Sequence, residues 1–430
     1  MTTEFPVIVE PAEYTCPGHP HPISRSIHLS RLSAFYPACR ECPHRDDTGG
    51  LAGKTIDRLV RTRHRVARAT LFTSEGVRGI HRNELTRTDA DRLVAALAWL
   101  CWRDRPRALL RNPQNTSGPV VVVGHDTRPA ARDLLAGVLS ALVRSGCRAV
   151  EIGPVSDDCF RFAVHHLEAD AGIRVTGDGH PSWWIGLDAV AAGGRPLSRG
   201  AGLDTWESAA GSQLPRPTRH AGSRRSFQAT EVYQATLKRH LLASRPLNIS
   251  LAAPEGPERD SLSQLLKPLP WTLHHHVDAL TNDDSRRISG QDRSVAYDVR
   301  LSWSNDRDGT LYCDETGTPI DPTALFLLLA RGILFDHPGQ PVVLAQRHAD
   351  RLTSAIRQLG GRPRTFPGTS RADTWQALKD HDAVMGIDDN GNTWCGESAP
   401  TQDRLLIVAH VLRMLDHHHR PLSQLIARND

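Results

Sequence analysis

The stretch that decides the fold is VVVVGHDTRP, residues 120–129. Its four consecutive valines predict a buried strand that ends in a polar loop. Residues 132–145 then have the periodicity of a helix that is closed by Gly146, and residues 149–152 predict the next strand. Strand, loop, helix and strand at this spacing predict a βαβ unit, and therefore a parallel sheet.

The same alternation of strand and helix patterns starts again twice. Residues 247–303 predict three strands and a helix, and residues 322–415 predict three helices and two strands. Residues 200–226 are rich in Gly, Ser, Pro and Arg and are interpreted as an interdomain linker. We therefore expect an α/β protein of three consecutive domains with mixed, mainly parallel sheets. The expected boundaries are 57–204, 227–317 and 318–430, behind an N-terminal segment 1–56.

Composition narrows the class of protein. Of the 430 residues, 39% are apolar and 23% are charged, as in soluble globular domains. No apolar run reaches the roughly 18 residues of a membrane span, and the first 25 residues contain no secretory signal. The net charge of +4 is small, which argues against a nucleic-acid or membrane footprint. We therefore expect a cytoplasmic protein.

Two short motifs near the N-terminus have the spacing of a zinc site. Each places two ligand-type side chains at a two-residue gap, so that one tight turn can offer both to one metal ion. His21 and His44 are close enough to replace one of the ligands, and the alternative is a tail with incidental cysteines and histidines. The four expected ligands of a structural Zn²⁺ are Cys16, His19, Cys39 and Cys42.

Residues 172–188, GIRVTGDGHPSWWIGLD, resemble the active-site segment of the phosphoglucomutase/phosphomannomutase (α-D-phosphohexomutase) family. FTSEGVRG at 72–79 resembles the opening loop of that family, and GHDTR at 124–128 resembles its GxDTR loop. The motifs occur in the family's order, and the resemblance covers about residues 66–430. It implies three α/β/α domains of phosphohexomutase type.

The resemblance also implies a chemistry. Members of the family exchange a phosphoryl group between a phosphoserine and a hexose phosphate, and a Mg²⁺ held by three aspartates neutralises the transferring group. Four α/β domains close around the sugar. Because the sequence ends at residue 430, we expect the first three domains only, with domain IV absent.

The active-site segment departs from the family pattern at its centre. Asp178 stands where the family has its nucleophilic serine, and His180 stands where it has an asparagine. Three interpretations of Asp178 remain open: an acyl-phosphate carrier, a mimic of the negative charge of phosphoserine, or an ordinary loop aspartate.

The metal and sugar loops are altered as well. Asp306 and Asp308 keep two of the three carboxylates of the metal loop, which makes a weak Mg²⁺ site, or else simply forms a turn before the next strand. The positions that would contact the substrate are Ser74, Arg78, Arg128, Asp388, Asn390 and Asn392. Guanidinium groups suit phosphate oxygens, although these arginines could equally hold the turns in place.

Three functions are compatible with this pattern. The first is a degenerate phosphohexomutase-like protein of carbohydrate metabolism that binds a sugar phosphate or another anion without turnover. The second is an active mutase with altered active-site residues or with a fourth domain supplied by another subunit. The third is a zinc-anchored scaffold with a protein partner or a second copy of itself.

Overall fold

The computed structural model describes residues 13–16, 21–40, 42–63, 70–104, 118–214, 221–241, 243–276, 296–303, 310–397 and 399–427. These residues form a small N-terminal element and three α/β units, each built on its own sheet. Within these ranges, no helix has the length and apolarity needed to cross a bilayer.

The N-terminal element is a short antiparallel hairpin followed by two helices. Strand β1 (Glu13–Tyr14) pairs with β2 (Ile23–Ser24), and helices α1 (Arg25–Ser33) and α2 (Gly53–Arg63) follow. Ser24 begins α1 because its hydroxyl accepts a hydrogen bond from the backbone N–H of Ile27.

The first unit contains a six-stranded sheet in the order β3-β7-β6-β4-β5-β8. Its strands are β3 (Val77–Ile80), β4 (Val120–His125), β5 (Arg148–Pro154), β6 (Ala171–Thr176), β7 (Trp184–Ala191) and β8 (Ser223–Ser226). Its helices are α3 (Arg87–Arg103), α4 (Ala131–Arg144), α5 (Asp157–His166) and α6 (Leu203–Gly211). The predicted βαβ unit is confirmed, since β4 and β5 are parallel and α4 connects them.

The linker interpretation of residues 200–226 is wrong for the part that the structure describes. Helix α6 and strand β8 lie there, and β8 pairs in parallel with β5 at the edge of the first sheet. Leu203 and Trp206 are both fully buried, and Nε1 of Trp206 donates a hydrogen bond to the carbonyl oxygen of Leu93 on α3. Their spacing of three residues is that of an amphipathic helix, but the surrounding Gly, Ser and Pro obscured it.

The second and third units repeat one topology. The second sheet has the order β10-β9-β11-β12 and the third β14-β13-β15-β16; in each the first three strands are parallel and the last is antiparallel. The strands are β9 (Asn248–Ala252), β10 (Thr272–His276), β11 (Val299–Ser302), β12 (Leu311–Cys313), β13 (Pro341–Ala345), β14 (Arg362–Phe366), β15 (Met385–Ile387) and β16 (Thr393–Cys395). The helices are α7 (Ala229–Lys238), α8 (Pro257–Leu266), α9 (Pro322–Asp336), α10 (Gln346–Gln358), α11 (Arg371–His381), α12 (Arg404–His418) and α13 (Leu422–Ala427). The predicted mixed, mainly parallel sheets are confirmed.

The three units share apolar contacts. One continuous core cluster contains Phe160 from the first unit, Leu251 from the second and Val342 from the third, all with no exposed surface. Burial of this apolar surface stabilises the packing of the three units against one another.

Candidate functional site

A cavity of about 720 Å³ lies between the three units. Its wall consists largely of loops that follow parallel strands: 126–128 after β4, 156–158 after β5, 178–180 after β6 and 254–259 after β9. Ligands of open α/β sheets bind outside the carboxyl ends of the strands, which makes this cavity the candidate site.

Asp178 lies on the cavity wall and forms an ion pair with Arg174, which belongs to the preceding strand β6. Its Oδ2 is 2.6 Å from Nη1 of Arg174, whose side chain is only 4% exposed. Burial raises the pKa of the Asp178 carboxyl, but the charge and hydrogen bond of Arg174 more than offset that effect and lower it. The carboxylate is therefore ionised and neutralised by the chain itself.

The loop that carries Asp178 is held by Arg128. The guanidinium donates to the carbonyl oxygens of His180, Pro181 and Trp184 at 2.9, 2.8 and 3.2 Å. Its Nε is also 3.2 Å from Oδ2 of Asp126. The guanidinium of Arg128, which lines the cavity as expected, therefore holds the loop and is not free for a ligand.

The opening loop, 72–79, contributes Ser74 and Arg78 to the wall of the cavity. Arg78 is buried and forms a short ion pair with Asp188 on the neighbouring strand β7. Burial lowers the pKa of the Arg78 guanidinium, but Asp188 more than offsets this and raises it. Like Arg128, Arg78 already has a carboxylate partner within the chain.

Two consecutive aspartates that sequence reasoning missed begin helix α5 at the cavity. Asp157 is 2.8 Å from Nε of Arg161 and 3.1 Å from Nη2 of Arg371, which belongs to the third unit. Burial raises the pKa of Asp157, but the charges of Arg161, Arg371 and Arg174 more than offset this and lower it. The signal that could have identified them is their position directly after a buried strand.

Asp158 has the opposite environment. It accepts a hydrogen bond of 3.1 Å from the backbone N–H of Arg404, while the side chain of Arg404 forms a short ion pair with Glu258. Burial and the charges of Asp403 and Glu258 raise the pKa of Asp158 well above its ordinary value. The adjacent residues Asp157 and Asp158 thus both contact the third unit, and their environments shift their pKa values in opposite directions.

In the loop after β15, some of the residues expected at the substrate line the cavity and one does not. Asn390 and Asn392 line the cavity as expected, but Asp388 is not part of its wall. The carboxylate of Asp388 accepts hydrogen bonds from the backbone N–H groups of Asn390 and Asn392 at 3.0 and 2.9 Å, and from Nε1 of Trp394 at 3.0 Å. Asp388 therefore shapes the loop from within and does not face the cavity.

The expected magnesium ligands Asp306 and Asp308 lie outside the described residues. Among the residues that are described, no three His, Cys, Asp or Glu side chains are arranged to hold a metal ion. On the described wall, the carboxylate of Asp178 already forms an ion pair with Arg174. We therefore assign no role to a metal on the described wall of the cleft.

The N-terminal cysteines are free thiols in buried positions. Cys16, Cys39 and Cys42 are each less than 9% exposed, whereas the fourth expected zinc ligand, His19, lies outside the described residues. Burial and the proximity of the other two thiols raise the pKa of Cys39 to about 11. These three thiols have the chemistry of zinc ligands, although they do not converge to metal-binding distances in the described part of the chain.

The N-terminal element contacts the first unit. The guanidinium of Arg58 lies 4.7 Å from the ring centre of Phe35 and 5.6 Å from that of Trp183, which ends the Asp178 loop. Arg40, between Cys39 and Cys42, pairs with Glu84 of the first unit at 3.5 Å. The second cysteine motif is therefore held against the first unit.

Most arginines on the described wall of the cavity already form ion pairs with carboxylates of the same chain. The wall contains nine carboxylates and six arginines, and five of the arginines have carboxylate partners in the chain. The sixth, Arg259, lies in the first turn of helix α8 and has no ion-pair partner among the described residues. Arg259 is therefore the guanidinium most available to an anionic ligand.

Comparison with known proteins agrees with this architecture. Residues 69–201 match the family model of the phosphoglucomutase/phosphomannomutase α/β/α domain I. Phosphohexose mutases of Xanthomonas campestris are 24% identical over 83% of this chain and 79% of their own length. The phosphoglucosamine mutase of Frankia casuarinae is 27% identical, with 83% and 80% covered. For the phosphomannomutase/phosphoglucomutase of Pseudomonas aeruginosa, at 22% identity, the match covers 69% of this chain and only 63% of the relative.

Solved structures support the fold. A phosphoglucomutase/phosphomannomutase family protein from Burkholderia thailandensis superimposes with a TM-score of 0.69 at 20% identity, covering 83% of this chain and 79% of that protein. The phosphoglucomutase parafusin from Paramecium gives 0.63 at 11% identity, with 85% and 75% covered. The chain therefore resembles the phosphoglucomutase/phosphomannomutase family in fold, and its residues 69–201 match the model of domain I of that family.

Proposed function

We propose that this protein is a degenerate phosphohexomutase-like protein that binds a sugar phosphate in the cleft without mutase turnover. The ion pair between Asp178 and Arg174 carries this proposal. A phosphoryl carrier must approach the substrate phosphate, but the Asp178 carboxylate is held by a buried guanidinium. An acyl phosphate formed at Asp178 would also hydrolyse more readily than a phosphoserine, so that the intermediate would be lost.

The distribution of charge suggests how an anion would bind. Most guanidinium groups of the described wall are committed to carboxylates, so a phosphate would have to displace those partners. Arg259, in the first turn of α8, is available without such an exchange. A guanidinium beside a helix N-terminus suits phosphate oxygens, and we therefore assign Arg259 to the phosphate group of the ligand.

Calorimetric titration with glucose 1-phosphate tests this assignment. Arg259→Ala should weaken binding by about tenfold or more, the usual effect of losing a charge-assisted hydrogen bond. Arg362→Ala is the matched control, because Arg362 is exposed on edge strand β14 and lies outside the cavity. Equal affinities for the wild type and both variants would contradict the assignment, and absence of binding to the wild type would contradict the proposed ligand.

Two metal sites belong to the same proposal. Asp306 and Asp308 would hold Mg²⁺ only weakly, because two carboxylates are few for this ion. Cys16, His19, Cys39 and Cys42 would hold a structural zinc that orders the N-terminal element. Free thiols at all eight cysteines agree with a reducing compartment such as the cytoplasm.

A further inference from the structure

Three helices begin at one junction beside the cavity, and each brings a carboxylate. Asp158 lies in the first turn of α5, Glu258 lies in the first turn of α8, and Asp403 is the N-cap of α12. All three line the cavity, and Asp158 and Asp403 are each only 5% exposed. Each of the three structural units therefore contributes one carboxyl group to this junction.

In the described part of the chain, Arg404 is the arginine that forms an ion pair at this junction, and its guanidinium faces Glu258. The side chain of Arg404 pairs with Glu258, while its backbone N–H donates to Asp158. Asp403 accepts hydrogen bonds of 2.8 Å from the Tyr233 hydroxyl and from the backbone N–H of Leu406. Among the described residues, no Lys or Arg side chain forms an ion pair with Asp158 or Asp403.

These surroundings disfavour two ionised carboxylates at the same time. Burial raises the pKa of Asp403 to about 6, and burial together with Asp403 and Glu258 raises that of Asp158 well above its ordinary value. The other titratable and charged groups that face the pair are Asp157, Cys159, Tyr233, Tyr312, Cys395 and Arg404. Two adjacent carboxylates in a buried site share a proton for the same reason.

We propose that a proton shared by Asp158 and Asp403 keeps the third unit closed against the first, and that its loss at higher pH opens the cleft. Ionisation of both groups would place two unpaired charges side by side where α12 contacts α5. Separation of the helices would let water solvate both carboxylates. Closure would then regulate access to the cavity in which we propose that a sugar phosphate binds. Only this regulatory role rests on the proposed function; the opening of the junction does not.

Hydrogen exchange without any ligand tests the proposal, after correction for the intrinsic dependence of exchange on pH. In the wild type, peptides that contain 155–160 and 400–408 should exchange about tenfold faster at pH 8.5 than at pH 6, because the junction opens. Asp158→Asn should abolish this pH dependence, since one of the two charges can no longer form. The matched control is Asp350→Asn, because Asp350 is exposed on α10 and does not line the cavity; this variant should keep the wild-type exchange rates and their ratio.

A second variant protects the test against misfolding of Asp158→Asn. Tyr233→Phe removes the hydroxyl that stabilises ionised Asp403, and it should move the midpoint of opening to higher pH. Equal corrected exchange of the wild type at pH 6 and 8.5 would overturn the proposal. So would an unchanged pH ratio in Asp158→Asn or an unchanged midpoint in Tyr233→Phe. None of these outcomes depends on whether a sugar phosphate binds.

Discussion

Oδ2 of Asp178 lies 2.6 Å from Nη1 of Arg174, at the end of the strand that leads into the active-site-like loop. Arg174 is buried, and a buried guanidinium needs a carboxylate partner to remain stable. Asp178 provides that partner from four residues away. The carboxylate at the position of the family's phosphoserine therefore acts, in this structure, as a counter-ion for the protein itself.

A double-mutant cycle measures this relationship. Asp178→Asn should lower the free energy of unfolding by about 1–3 kcal/mol, because it leaves Arg174 short of a partner, with partial solvent exposure of Asp178 reducing the loss. In an Arg174→Met background the same change should cost much less, since no buried charge remains. Urea denaturation of the four proteins checks this expectation, and strictly additive effects would show that the ion pair does not couple the two residues.

Asp157→Asn tests the contact between the first and third units. The variant leaves Arg161 and Arg371 without their shared carboxylate, and we expect it to lower the free energy of unfolding at pH 7 by about 3 kcal/mol. Because the pKa of Asp157 is lowered by folding, its stabilisation is present above the ordinary pKa of an aspartate and is lost as pH falls through the folded value.

The difference between wild type and Asp157→Asn should therefore shrink below about pH 4. The exposed residue Asp350 provides the control, and Asp350→Asn should leave stability within about 0.5 kcal/mol of the wild type at every pH. A constant difference across the acidic range would contradict the role given to the ionised carboxylate.

The N-terminal cysteines give a third prediction. Purified protein should contain about one zinc per chain, and removal of the metal by a chelator should lower the melting temperature. Cys39→Ser should reduce the zinc content and have the same thermal effect, whereas Cys147→Ser, at a buried cysteine of the first unit, should leave the zinc content unchanged. A wild type without zinc that melts together with Cys39→Ser would rule out the site.

Local patterns were sufficient to predict mixed, mainly parallel sheets, but not edge strand β8 or the charge network. The valines of β4 and the periodicity of α4 placed the first βαβ unit close to its observed bounds. Arg371 and Asp157 are 214 residues apart in the chain, so no local pattern could pair them. Asp157 and Asp158 follow a buried strand and were recognisable as cavity residues, but the opposite shifts of their pKa values depend on partners that only the folded chain brings together.

Arg174 was the signal most open to recognition. A single arginine in the otherwise apolar stretch GIRVT, residues 172–176, requires a buried counter-charge. Asp178, four residues on, is the nearest carboxylate in the sequence. The resemblance to the family identifies Asp178 by the serine that it replaces and gives no indication of its contact with Arg174. The same comparison assigned Asp388 to the sugar, whereas its carboxylate is used by its own loop.

The measurement that tests the central claim most directly is a coupled mutase assay on protein freed of host mutases. It would use glucose 1-phosphate and mannose 1-phosphate with the 1,6-bisphosphate activator, beside intact-mass spectrometry for a bound phosphoryl group. We predict no significant turnover and no phosphoryl adduct, and Asp178→Ser alone should not restore activity, because Arg174 would remain and the metal loop would still have only two carboxylates, Asp306 and Asp308. Turnover of about 1 s⁻¹, the low end of usual enzyme rates, would contradict the account and identify an active mutase with altered residues.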